Sequence, residues 1–240
     1  MASLAIGLID SGVAGLPLTY TGAARGFLAG PQGTVLETEA TEDQLGHGSA
    51  MAAILLRDAI GRAQGDTPDD SPPVAPEFSL LNAQVFAGKL SCTAAQVAAA
   101  LDWLLEQRVH LVNMSFGLRE DRPLLRQACE RALGEGVVLV AATPARGEPV
   151  FPAAYPGVIR ATGDARCAPG DISFLDTRQA DFGGHVRAGQ TNVAGASVGC
   201  AHVSARAARF LAAHPGSSPA QLRAWLVEQA SYRGPERRVC

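Results

Sequence analysis

Short, almost continuous apolar runs alternate along this chain with segments of helical periodicity, and this alternation limits the fold more than any other feature. Leu4–Ile9, Leu80–Phe86, Leu111–Ser115, Val137–Ala142 and Val158–Thr162 read as strands. A strand with one wet face alternates apolar and polar residues, whereas an uninterrupted apolar run needs cover on both faces. Ser49–Ile60, Thr93–Gln107, Pro123–Leu133, Ser197–Ala213 and Ser218–Gln229 read as helices. Their ends carry local signals. Thr93 with Gln96 forms a capping-box pattern, Pro123 and Pro219 suit first helical positions, and Gly134 and Gly136 suit a helix end. The expected fold is α/β: a three-layer, doubly wound, mostly parallel sheet with helices on both faces. In such sheets reactive groups gather at the carboxyl ends of the strands.

The chain has 240 residues, 47% of them hydrophobic, and a formal net charge of -3. That length suits one α/β domain spanning residues 1–240, and a chain of this size buries roughly three quarters of its unfolded surface. Gly61–Pro76, rich in Gly, Pro and Asp, reads as a surface excursion, and Tyr232–Cys240, rich in Arg, as a loose tail. The near-neutral charge gives no reason to expect nucleic acid or an anionic membrane as a partner. No run reaches the ~20 apolar residues of a membrane span. The N-terminus lacks a basic n-region, and its apolar stretch ends at Asp10, so it reads as a strand and not a secretory signal. The five cysteines are scattered without a CxxC pair, so no zinc site or disulfide framework is indicated. A reducing cytoplasm is the simplest setting, and no cofactor or metal is called for.

Three short motifs carry the chemistry. In Ile9-Asp10-Ser11-Gly12 an acid ends a strand and a turn glycine follows. Read alone it equally describes a turn aspartate, or the single half of an aspartic-protease dyad that has no second half here. In Gly46-His47-Gly48-Ser49 a histidine stands between glycines at the start of an apolar helix; alone it describes a loop histidine. In Gly195-Ala196-Ser197-Val198-Gly199 a serine opens a helix of small residues, where the dipole and unpaired amides favour a developing anion. Alone, it describes an N-cap serine.

Taken together and in this order, the motifs resemble those of the subtilisin-like serine proteases, the subtilases of peptidase family S8. Gly46-His47-Gly48-Ser49 is similar to the family's H-G-T-H, with Ala50 at the second histidine. Gly195-Ala196-Ser197-Val198 with His202-Val203 is similar to G-T-S-M-A-x-P-H-V. Val112-Asn113-Met114-Ser115-Phe116-Gly117 resembles V-I-N-M-S-L-G, and Phe151-Pro152-Ala153-Ala154-Tyr155-Pro156-Gly157-Val158-Ile159 resembles Y-P-A-x-Y-P-x-V-I. The resemblance runs from about Leu4 to about Ala213. It implies Ser197 as nucleophile, His47 as general base and Asp10 as the acid that orients the imidazole. It further implies that Ser115, Phe116 and Gly117 offer backbone to a peptide, with a selectivity pocket between them and Ala141–Ala145, including Ala141 and Ala142. His202 and Cys200 become packing residues, and His110, His185 and His214 fall outside every motif.

One departure matters. The family's A-A-G-N donates an asparagine amide to the oxyanion, whereas Ala142-Thr143-Pro144-Ala145 stands here, with Ala145 at the asparagine position. Neither Pro144 nor Ala145 has a side-chain donor. In subtilisin itself, losing that donor lowers turnover roughly 100- to 1,000-fold. The Ser197 amide, with a hydroxyl or amide from Thr143 or Asn192, is left as the oxyanion hole. Three readings stay open: a slow, selective endopeptidase that processes a precursor or the leader of a modified peptide; a catalytically silent peptide-binding or scaffold domain; and an acyl-transferring macrocyclase. The start at the first strand and the short connections resemble a compact form without signal or prodomain, in which a partner protein would complete substrate contacts.

Overall fold

The computed structural model describes residues 3–17, 20–60, 78–189 and 193–236. The expected excursion over 61–76 lies outside them. Among the described residues, ten strands form one sheet: β1 (Leu4–Asp10), β2 (Thr21–Ala29), β3 (Val35–Thr38), β4 (Phe78–Gln84), β5 (Leu111–Met114), β6 (Val138–Ala142), β7 (Ile159–Gly163), β8 (Ile172–Phe174), β9 (Phe182–Gly184) and β10 (Tyr232–Arg233). Five helices among the described residues accompany them: α1 (His47–Ile60), α2 (Ala94–Glu106), α3 (Pro123–Gly134), α4 (Ala196–Ala213) and α5 (Pro219–Glu228). The strand order is β10-β8-β9-β7-β6-β5-β1-β4-β2-β3. Pairing is parallel except for β2 with β3 and β8 with β9.

Every strand and helix expected from the sequence is present, with ends shifted by a residue or two. The strands β2, β3, β8, β9 and β10 were not anticipated. They are short or rich in small residues and lie toward the sheet's edges, where pairing with neighbours outweighs intrinsic propensity. The expected loose tail is corrected over its first part. Ser231 and Gly234 donate backbone hydrogen bonds to Ile172 and Phe174, which seats Tyr232–Arg233 against β8. The Arg166 guanidinium lies over the Tyr232 ring and donates to the Gly234 carbonyl at 2.7 Å.

Side chains alternate between the two faces of the central strands. Leu111, Val138 and Val140 join a core with Met51 and Leu55 of α1 and Val203 and Ala207 of α4. Val112, Leu139 and Ala141 join the opposite core with Leu101 and Leu104 of α2 and Leu125 of α3. At ~25 cal/mol per Å² of apolar surface removed from water, these two cores supply the main folding force. The capping box at Thr93 and Gln96 forms as expected, and an equivalent one forms at Ser218 and Gln221.

Chain direction explains where the site lies. From β1 the connection leads to β4 on one side, and from β4 it crosses through α2 to β5 on the other side of β1. The order reverses between β1 and β5, and the crevice beyond the carboxyl ends of such a strand pair is where α/β sheets place ligands. Asp10 ends β1, and Ser115 directly follows β5.

Candidate active site

Asp10 is fully buried, and its Oδ1 lies 2.7 Å from His47 Nδ1. The Ser11 amide donates to the same oxygen at 2.7 Å. Against a carboxylate, Nδ1 carries the proton, which leaves Nε2 as the basic nitrogen. Asp10 Oδ2 is buried without a hydrogen-bond partner in the protein. Burial opposes a charge on His47. The hydrogen bond and charge of Asp10, with the charge of Asp43, outweigh it and raise the imidazole pKa above the usual 6.5.

Glycine brings the two residues together. A Cβ on Gly48 would stand 2.1 Å from the Gly12 carbonyl oxygen, so only glycine lets the first turn of α1 touch the loop after β1. Asp43, which sequence reasoning missed, binds this junction. Its Oδ1 accepts from the Ser11 hydroxyl at 2.8 Å, the Leu45 amide at 3.1 Å and the Gly46 amide at 2.8 Å. Its Oδ2 accepts from the Ser49 amide at 2.8 Å and the Ser49 hydroxyl at 2.5 Å. Burial pushes its carboxyl up, but these bonds, led by that of the Ser49 side chain, hold it below the usual 3.8. The available signal was an acid just ahead of an expected helix start.

Ser197 lies in the first turn of α4 but is not its cap. Gly195 holds the N-cap position without a side-chain hydrogen bond. The Ser197 hydroxyl donates to the Ser115 carbonyl at 2.7 Å, and the Ser115 hydroxyl donates to the Ser197 carbonyl at 3.0 Å. Asn113 supports the pair: its Nδ2 donates to Ser115 Oγ at 2.9 Å, and its Oδ1 accepts from the Ser204 hydroxyl at 2.8 Å. Ser115, expected to offer backbone to a peptide, thus engages Ser197 through both its carbonyl and its hydroxyl in the free protein. The helix begins so that the first intrahelical bond runs from the Gly199 amide to the Gly195 carbonyl. The Ser197 and Val198 amides have no intrahelical acceptor and mark the positive end of the dipole.

The remaining expected residues divide. Gly117 is exposed, with the Val150 side chain against it: a Cβ on Gly117 would be 2.6 Å from Val150 Cγ2. The Phe116 ring meets Phe86 edge-on at 5.3 Å. Ala141 and Ala142, expected as substrate contacts, end β6, paired to β7 and with side chains in opposite cores. Exposure begins beyond them, with Pro144 half-buried and Ala145 exposed. The Thr143 amide is spent on the Ala161 carbonyl at 2.8 Å, which leaves that residue only its hydroxyl as an oxyanion donor. Asn192 lies outside the described residues. His202 is buried on Asp58, with Nδ1 2.5 Å from Oδ2. Burial pushes the Cys200 thiol up to about 12, as expected of an inert packing residue.

A parallel sheet with its polar cluster at the β1–β5 reversal, and with a serine and a histidine opening two packed helices, defines a class of α/β hydrolytic folds. The chain belongs to the subtilase family, peptidase family S8, whose family profile matches residues 2–239. Its sequence is 26% identical over 250 residues to subtilisin DY of Bacillus licheniformis, covering 97% of this chain and 85% of that protein. It is 31% identical over 160 residues to the minor extracellular protease Epr of Bacillus subtilis (strain 168), covering 65% of this chain but only 23% of the relative. The chain thus spans about a quarter of Epr and most of subtilisin DY. Among solved structures, a mutant of the protease domain of PatA superposes with TM-score 0.60 at 18% identity, covering 97% of this chain and 92% of that one. The prenylagaramide maturation protease PagA superposes with TM-score 0.53 at 19% identity, covering 90% and 78%. These two likenesses establish the fold.

Proposed function

We propose that the chain is a serine endopeptidase in which Asp10, His47 and Ser197 act together. The observation that carries this reading is the buried contact of 2.7 Å between Asp10 Oδ1 and His47 Nδ1, made at the start of a helix that shares one core with the helix bearing Ser197. On binding a peptide, the Ser197 hydroxyl leaves the Ser115 carbonyl and turns to His47 Nε2. Catalytic hydrogen bonds often form only in the substrate complex. Ser197 Oγ attacks the scissile carbonyl carbon as its proton passes to Nε2, and Asp10 stabilises the resulting imidazolium. The tetrahedral oxyanion is met by the Ser197 amide and the helix dipole. The C–N bond breaks as His47 returns the proton to the leaving amine. Water, deprotonated by His47, then hydrolyses the acyl ester.

Ala145 supplies no side-chain donor to the oxyanion, so turnover is slow and the enzyme suits selective processing of a precursor or leader peptide rather than bulk digestion. Val150 against Gly117 narrows the cleft, which favours small side chains before the cut. A second reading, a silent peptide-binding domain, draws support from the same Ala145 and from the engagement of Ser197 with Ser115. Long incubation with a peptide library, read by mass spectrometry, separates the two. The endopeptidase yields cuts after small residues that vanish in Ser197→Ala. Binding without any cut, unchanged in Ser197→Ala, would establish the silent domain.

A further inference from the structure

Asp43 does more than a capping acid needs to do. A carboxylate serving only as the cap of α1 would require the amides of the first turn. This one also grips the Ser11 hydroxyl at 2.8 Å, next to Asp10, and that hydroxyl in turn accepts the Gly48 amide at 2.8 Å, next to His47. A closed ring results, from Asp10 through Ser11, Asp43 and the Gly46–Ser49 turn to His47 and back to Asp10 across 2.7 Å. Ser49 fastens the ring further, because its hydroxyl also accepts the Ala14 amide at 2.9 Å.

We propose that Asp43 is a positioning residue for His47: it locks the turn carrying the imidazole onto the Asp10 loop and sets a permanent negative charge beside the base. The proposal rests on the reading of His47 as the general base. Among the described residues, the ionisable groups that bear on the Asp10–His47 pair are Asp43 ahead of α1, Cys92 ahead of α2 and Cys200 in α4. Burial pushes both thiols up to about 12, so both stay neutral. Asp43 is thus the charge besides Asp10 that favours the imidazolium, in keeping with the raised pKa of His47. An imidazolium that forms during acylation gains from two carboxylates held rigidly in place.

Asp43→Asn keeps the side chain's shape and removes its charge. The titration of His47 is read by NMR on histidine-labelled protein, its signal assigned by loss in His47→Gln. The midpoint is expected at lower pH in D43N than in the wild type, and D43E is expected to restore it toward the wild-type value. This measurement needs no activity, so a folded protein that shows the shift yet acylates nothing would sink the proposed function and leave the positioning role standing. An unchanged His47 midpoint in folded D43N would overturn the charge. Ser11→Ala keeps the charge and cuts the ring, and it remains informative if D43N does not fold. It is expected to slow fluorophosphonate labelling of Ser197 roughly tenfold at plateau pH, with the His47 midpoint near that of the wild type. Labelling as fast as the wild type in S11A would overturn the ring.

Discussion

At Ser197 two acceptors compete for one proton. In the free protein the Ser115 carbonyl holds it at 2.7 Å, and in the proposed reaction His47 Nε2 must take it. Only the neutral imidazole can do so. Because the pKa of His47 is raised, the fraction of competent base is lost as pH falls through a value above 6.5. The rate of fluorophosphonate labelling, followed across roughly pH 5 to 9, is therefore expected to climb to a plateau with its midpoint above that of a free histidine. A midpoint below 6.5 would mean that burial outweighs the two carboxylates. Asp10, His47 and Ser197 were legible in the sequence because each sits in a motif whose glycines betray close backbone approach. Asp43 was not legible, since it stands in the polar stretch Thr41-Glu42-Asp43-Gln44, where its neighbours carry the same chemistry without the same contacts. Nor does the sequence reveal that Ala141 and Ala142 stay paired to β7 through the last residue of their strand.

α4 is the element on which the site depends most. It packs on α1, so the helices bearing His47 and Ser197 share one core, and Asp58 of α1 meets His202 of α4 within it. The contact of α4 with the sheet requires Gly199, where a Cβ would fall 2.0 Å from the Thr162 carbonyl oxygen. Backbone cannot yield there as a side-chain end could. Gly199→Ala is expected to cost about 3 kcal/mol by overpacking, and to slow labelling by displacing the first turn. Chemical denaturation and labelling kinetics read the two effects separately, and a fully stable, fully reactive G199A would refute this account of the helix. The long helices and inner strands were legible because burial writes itself into their periodicity. The edge strands were not. In Phe182-Gly183-Gly184 two glycines weaken the strand signal, and the segment pairs because β7 and β8 flank it.

Over the whole molecule, ionisable groups set a window of stability. Burial pushes the Asp58 and Asp181 carboxyls up, but hydrogen bonds from His202 and Arg57 in one case, and from Arg160 and Arg223 in the other, hold both below the usual 3.8. A depressed carboxyl gives stability that is complete above its unfolded pKa and is lost as pH falls through its folded value. His47 acts in the opposite sense: its contribution is complete below 6.5 and is lost as pH rises through its raised value. Urea midpoints are thus expected to be highest between about pH 4 and 6.5 and to fall on both sides. Asp181→Asn should blunt the acid limb and cost about 2 kcal/mol within the window, less than a fully buried pair because both guanidinium groups reach solvent. Midpoints that keep rising above pH 7 would contradict this balance. The central claim, that this subtilase fold carries a working nucleophile, is tested most directly by intact-mass and peptide mapping after treatment with a fluorophosphonate. One adduct is predicted, on Ser197, absent in Ser197→Ala and strongly slowed in His47→Ala. Folded wild-type protein that takes up no adduct, or an adduct that persists in Ser197→Ala, would contradict the account.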